Sequence, residues 1–121
     1  MSVLDITTLT SLGGKSGLAS PLVKRVITLY RQEASKLVQG IEKALENSDH
    51  ELLLRHAHTL KSSSASIGAV AVSQVARQIE QLARQGHSVE LHTLFAVLHL
   101  ELTQLMDELT FFELTLVATA V

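Results

Sequence analysis

His58, Lys61 and Ser62 stand three and four residues apart in the stretch Leu53-Leu54-Arg55-His56-Ala57-His58-Thr59-Leu60-Lys61-Ser62-Ser63-Ser64-Ala65-Ser66-Ile67. On a helix turning about 100° per residue, Leu53, Ala57, Leu60, Ser64 and Ile67 gather in one arc, which must be the core stripe. His58 faces nearly the opposite way and points to solvent. His56 lands at the edge of the stripe, so the two histidines diverge and cannot chelate one metal ion. The helical neighbours of His58 are Leu54, Arg55, Lys61 and Ser62, the residues three and four positions away. An imidazole with a reference pKa of about 6.5 is a nucleophile near neutral pH and can carry a phosphoryl group on one ring nitrogen. Lys61 would offset the added negative charge. Ser62 and Ala65 add little bulk, which leaves a low surface on which another protein can settle closely.

Four amphipathic segments must position this imidazole. Ser20-Pro21 reads as an N-cap with proline at the first helical position, and the helix it opens carries Leu22, Val23, Val26, Ile27, Tyr30, Ala34, Leu37, Val38, Ile41 and Leu45 at steps of three and four. Gly40 weakens that helix by about 1 kcal/mol relative to alanine without breaking it. Ser48-Asp49-His50-Glu51 matches a capping box, so a second helix is expected from Asp49 to about Ile67 with Ser48 as its cap. Gly68 stops it. A third helix, with Val72, Val75, Ile79 and Leu82 on one stripe, runs from about Val70 to Gly86. Ser88 is expected to cap a fourth, whose seam is Leu91, Leu94, Leu98, Leu102, Leu105, Leu109, Phe112 and Leu116. Ahead of these, Asp5 caps a short leader bearing Ile6, Leu9 and Leu12, joined through Gly13, Gly14 and Gly17. The expected fold is all-α: an antiparallel up-down four-helix bundle with a short N-terminal leading helix. It forms one domain over 1–121, with a core at about 4–113 and a strand-capable or frayed tail at 114–121.

Composition narrows the partners. The chain has 121 residues, 46% of them hydrophobic and 3% aromatic, which suffices for one aliphatic core. Ten basic against twelve acidic side chains give a net charge of -2, without the basic stripe that nucleic acid requires. The chain has no cysteine, so thiol nucleophiles and thiolate metal sites are excluded. No uncharged apolar run approaches the roughly 18 residues of a membrane span, and a cytoplasmic location is expected.

The segment Ala57-His58-Thr59-Leu60-Lys61-Ser62-Ser63-Ser64-Ala65-Ser66-Ile67-Gly68-Ala69 resembles the signature of histidine-containing phosphotransfer (HPt) domains: His, any residue, Leu, Lys, Gly, then small residues and a closing Gly. Asp5 with its leader, Tyr30, Ala44-Leu45 with Asp49, and Gln78-Ile79-Glu80 with Arg84 are similar to the family's layout, so the resemblance spans about residues 4–110. It implies that His58 accepts a phosphoryl group from a receiver-domain aspartate and passes it to another. It also implies that Lys61 lies near the phosphohistidine, that Gly68 closes the helix, and that Glu80 orients the ring. The implied partners are response-regulator receiver domains and a hybrid sensor histidine kinase, docking over Leu54, Arg55, Ser62 and Ala65. No cofactor of its own is implied, because Mg²⁺ and the acidic pocket come from the receiver. Nothing resembles an ATP site, so autophosphorylation is not expected. The departure is Ser62, which stands where most members have glycine.

Each feature also has a plainer reading. A single exposed helical histidine is ordinarily a solvated side chain, and Glu80 with Arg84 four residues on makes an ordinary surface ion pair. His92 and His99 share a helix face but lack the carboxylates of a bundle metal site, while His50 and His87 flank helix starts. Two other functions compete with the carrier. One is a degenerate HPt-like adapter that binds a receiver or kinase without phosphotransfer. The other is a structural bundle that dimerises through Phe111, Phe112, Leu114, Leu116 and Val117.

Overall fold

The computed structural model describes residues 4–12, 21–86 and 88–120. Five helices follow in order: α1 (Ile6–Leu12), α2 (Pro21–Glu46), α3 (His50–Ser66), α4 (Val70–Gln85) and α5 (Ser88–Ala120), with no strand among the described residues. The fold is therefore the all-α bundle the periodicity predicts. Helix α2 packs on α3 and α5, α3 on α4, and α4 on α5, which closes a four-helix ring. Tyr30 meets Ser64 and Glu33 meets Ser63, while Gly40 lies beside His56, so α2 and α3 run antiparallel.

The expected stripes form the core, except that Leu22, in the first turn of α2 beside the buried Val23, is exposed. Val23, Ile27, Tyr30, Ala34, Leu37 and Ile41 of α2 are buried, as are Leu53, Ala57, Leu60, Ser64 and Ile67 at α3. Val72, Val75 and Ile79 of α4 and Leu91, Leu98, Leu102, Leu105 and Leu109 of α5 complete it. Leu45, Leu82, Leu94 and Phe112 pack at its margin. Gly40 leaves α2 unbroken because the missing side chain is used: a Cβ there would come within 2.7 Å of the His56 ring, so this glycine lets α3 lie close.

The second helix starts one residue later than the capping box predicts. Ser48 has φ +53°, its N–H donates to Leu45 O at 3.3 Å, and the Asp49 N–H donates to Ala44 O at 2.9 Å. These bonds end α2 in a Schellman motif with Ser48 as its left-handed residue, which takes Ser48 out of the capping position. Asp49 caps α3 instead, its carboxylate accepting from Leu52 N–H at 3.1 Å. Helix α5 likewise begins at Ser88 itself, a displacement of one residue from the capping role expected of Ser88. The proposed cap Ser20, the linker glycines Gly13, Gly14 and Gly17, and His87 lie outside the described residues.

Two further boundaries carry consequences. Residues 114–120, read from the sequence as a tail, continue α5. A helix already held along a packed seam needs no new nucleus, and the small propensity deficit of Thr115 and Val117 does not stop it. Arg31 anchors α5 just ahead of this stretch with a 2.8 Å ion pair to Glu113 and a 3.1 Å hydrogen bond to Thr110. At the same end, Asp5 caps α1 by accepting from Thr7 N–H at 3.0 Å, and Leu9 is fully buried, so the leader covers the bundle as expected. The side chains of Ile6, Leu12, Leu116 and Val117 lie outside the described residues.

Gly68 joins the leader to the bundle. It has φ +82°, its carbonyl accepts from Asp5 N–H at 2.6 Å, and a Cβ would stand 2.5 Å from Asp5 O. Gly68→Ala combines a left-handed alanine with a backbone clash, and we expect a loss of about 2–4 kcal/mol with detachment of α1. Denaturant titration reads the stability, and loss of amide-exchange protection at Leu9 reads the detachment. A variant within 1 kcal/mol of the parent would refute this reading of Gly68.

Tyr30 provides a pH-dependent element of the core. Its hydroxyl lies 2.7 Å from Ser64 Oγ, and burial pushes its pKa from 10.0 up to about 12. The folded state thus holds the phenolic proton more tightly than the unfolded chain. Stability is at its full value below pH 10 and falls as pH rises toward about 12, while the unfolded phenol ionises first. Tyr30→Phe should remove this alkaline slope at the cost of about 1–2 kcal/mol at neutral pH, because Ser64 loses its partner. Urea titrations at a series of alkaline pH values check both outcomes.

Candidate functional site

The site forms where α3 and α4 pack against each other. Small side chains, Ala57 and Ser64 on α3, Ala69 just before α4, and Ala76 and Ala83 on α4, are all buried and allow the two helices to approach closely. A bond from Ser73 Oγ to the Lys61 carbonyl at 2.9 Å fixes their register. The core stripe of α3 determines which way His58 points: the five stripe residues face inward, and the His58 side chain is 61% exposed on the far side. His56 is half-buried at the edge of the stripe.

Helix α4 meets the imidazole with a carboxylate. Glu80 Oε2 lies 3.0 Å from His58 Nδ1, and the Glu80 side chain is only 9% exposed. Lys61 Nζ lies 3.3 Å from Oε2 and 3.4 Å from Oε1, and Arg84 reaches Oε1 at 3.3 Å. Burial by itself raises the pKa of the Glu80 carboxyl. The hydrogen bonds from His58 and Lys61, with the charges of both, outweigh burial and hold it below its ordinary value. Glu80 is therefore an ionised buried carboxylate compensated from three sides. The charge-assisted partner for an imidazole beside it is Nδ1–H, which leaves Nε2 as the nitrogen with a free lone pair.

These contacts revise one sequence expectation and add a partner to another. Glu80 and Arg84 do pair, but not as a surface pair, since Glu80 is buried and only Arg84 is exposed. Lys61, read from the sequence as a cation near the imidazole, is half-buried with its ammonium held on Glu80, the carboxylate that also meets the ring. Of the other residues named from the sequence, Arg55, Ser62 and Ala65 are exposed and Leu54 is half-buried. Lys61, Ser62 and Ala65 line one shallow depression together with Ser73, Gln74 and Arg77 of α4. The last three were not singled out from the sequence. Ser73, Arg77, Glu80 and Arg84 follow one another at steps of four, three and four along one stripe of α4, so a helical wheel drawn around Glu80 would have found Ser73 and Arg77.

A bundle of this kind, with a solvent-facing imidazole on one helix clamped by a buried carboxylate from the next, has the architecture of a histidine phosphotransfer module. The sequence matches the family model described as Hpt domain over residues 25–109, a stretch that includes all of α3 and α4 and most of α2, and the chain belongs to that family. Hpt domains serve histidine phosphotransfer in two-component phosphorelays, where they meet receiver domains and histidine kinases. No curated protein matches the sequence. Among the described residues, no helix is long and apolar enough to cross a membrane.

Proposed function

We propose that His58 is the phosphoryl carrier, accepting the group from the aspartyl phosphate of one receiver domain and delivering it to the aspartate of another. The single observation that carries this reading is the 3.0 Å contact between Glu80 Oε2 and His58 Nδ1 on an otherwise exposed ring. With Nδ1–H donated to Glu80, the Nε2 lone pair attacks phosphorus in line. The Nε2–P bond forms as the acyl O–P bond breaks, and the aspartate carboxylate leaves with the bonding electrons. The ring acquires positive charge while carrying the phosphoryl group, and the Glu80 carboxylate stabilises that charge. Delivery is the same step in reverse, so no proton need enter or leave the ring.

Lys61 and Arg84 keep Glu80 ionised and in place, and so act through it. Leu54, Arg55, Ser62 and Ala65 form the face on which the receiver settles, while Mg²⁺ and the acidic pocket are contributed by the receiver. A hybrid sensor kinase is the proposed upstream source, and the cytoplasm the proposed location. The test is to mix the protein with a panel of purified, radiolabelled phosphorylated receivers and map the product. Acid-labile, alkali-stable label at His58 supports the carrier. Receiver binding without label would replace it with an adapter.

A further inference from the structure

The residue that departs from the family signature has its hydroxyl free. Exposed hydroxyls on these helices are mostly folded back onto the carbonyl four residues earlier: Thr59 onto Arg55 at 3.0 Å, Ser66 onto Ser62 at 2.9 Å, Thr103 onto His99 at 2.9 Å and Thr115 onto Phe111 at 2.8 Å. Two of these lie within four residues of Ser62. Ser62 does not bond the His58 carbonyl in this way, and among the described residues its Oγ has no hydrogen-bond partner. The residue is exposed, lies one turn along α3 from His58, and lines the same depression as Lys61 and Arg77. Cα–Cβ bonds in a helix tilt toward its N-terminus, so the Ser62 Cβ is tilted toward the turn that carries His58. Lys61 is already committed to Glu80, which leaves the hydroxyl as a donor near the ring with no competing acceptor.

We infer that Ser62 donates a hydrogen bond to a non-bridging oxygen of the phosphoryl group on His58 Nε2 and so biases the phosphoryl group toward this chain and away from the receiver aspartate. The inference rests on the carrier reading and adds to it a residue that holds the transferred group. A glycine at this position offers no donor. A hydrogen bond to a phosphoryl oxygen is charge-assisted, and it exists only after transfer, so it shifts the equilibrium between carrier and receiver and not merely the rate of encounter.

Ser62→Ala and Ser62→Gly separate this role from a steric one, since both remove the hydroxyl but only glycine removes the Cβ. Each variant and the parent are equilibrated with the same receiver domain charged with acetyl phosphate, and each is also loaded with phosphoramidate for phosphorus NMR. The expected result is that both variants shift the phosphoryl group toward the receiver by about 10-fold. The pKa of the bound phosphoryl group, followed by its phosphorus resonance, should rise in both, because a donor to the dianion is gone. If Ser62→Ala matches the parent in both measurements while Ser62→Gly only speeds transfer in both directions, Ser62 acts by bulk alone and the inference is overturned. If the parent itself takes no phosphoryl group on His58, the carrier reading fails, and the inference with it. Unchanged loading of His58 with an unchanged equilibrium in both variants defeats the inference alone.

Discussion

His58→Gln should take no acid-labile phosphate from any phosphorylated receiver, while its circular dichroism and unfolding midpoint stay close to those of the parent. The loss is expected to be complete because the glutamine amide has no lone pair of comparable nucleophilicity, and no other described histidine has the same setting. His56 lies against Gly40, and His99 packs edge-on to Phe95 with ring centroids 5.0 Å apart. The stability is expected to hold because the ring is largely in water and its replacement empties no core volume. Normal labelling of this variant, or label mapped to another histidine, would remove His58 from the mechanism.

Glu80 variants should show the second largest effect, and a graded one. Glu80→Gln keeps an acceptor near Nδ1 but loses the charge that stabilises the ring during transfer, and its amide can also present a donor that favours the wrong tautomer. We expect transfer to slow by about 10-fold in Glu80→Gln and by about 100-fold in Glu80→Leu, where neither hydrogen bond nor charge remains. The reading that separates positioning from mere structure is the tautomer itself. Nitrogen-15 shifts of the His58 ring should report Nδ1–H in the parent and a mixture in Glu80→Leu.

The pH dependence of stability gives an independent check on the same residue. The folded-state pKa of Glu80 lies below its ordinary value of 4.5, so the folded state binds the proton less readily than the unfolded chain. The ion pairs therefore contribute stability above pH 4.5, and that contribution is lost as pH falls through the folded value. Glu80→Gln should flatten this acid limb. A variant that transfers at the parental rate and keeps the parental acid limb would show that the carboxylate has no part in the site.

What could be read from the sequence depended on how local the governing physics is. The core stripe of α3 follows from turn geometry and side-chain type, so the outward direction of His58 was legible, as were Gly68 and Gly86 as helix ends. Three features were not. Ser48 looks like a cap by residue type, yet the end of the preceding helix claims it, and that competition depends on where α2 stops. The continuation of α5 through residues 114–120 follows an anchor at Glu113 made by Arg31, far away in sequence. Lys61 was read as a cation near His58, but its ion pair with Glu80 was not, because Glu80 lies on another helix. For the same reason Gly40 read as a weakness, when it is a point of close approach whose benefit appears only once His56 is placed opposite it.

The two atoms that define the site, His58 Nδ1 and Glu80 Oε2, belong to residues 22 apart on consecutive helices joined by the tight turn at 67–69. Bringing them together closes only a short loop, at small entropic cost. The reactive geometry is thus a property of one helical hairpin, stapled internally by Ser73 and by the three partners of Glu80, and the other two long helices serve as its backing. Substitutions in the seam of α2 or α5 therefore act on how many molecules are folded, whereas substitutions on the hairpin face act on what each folded molecule does.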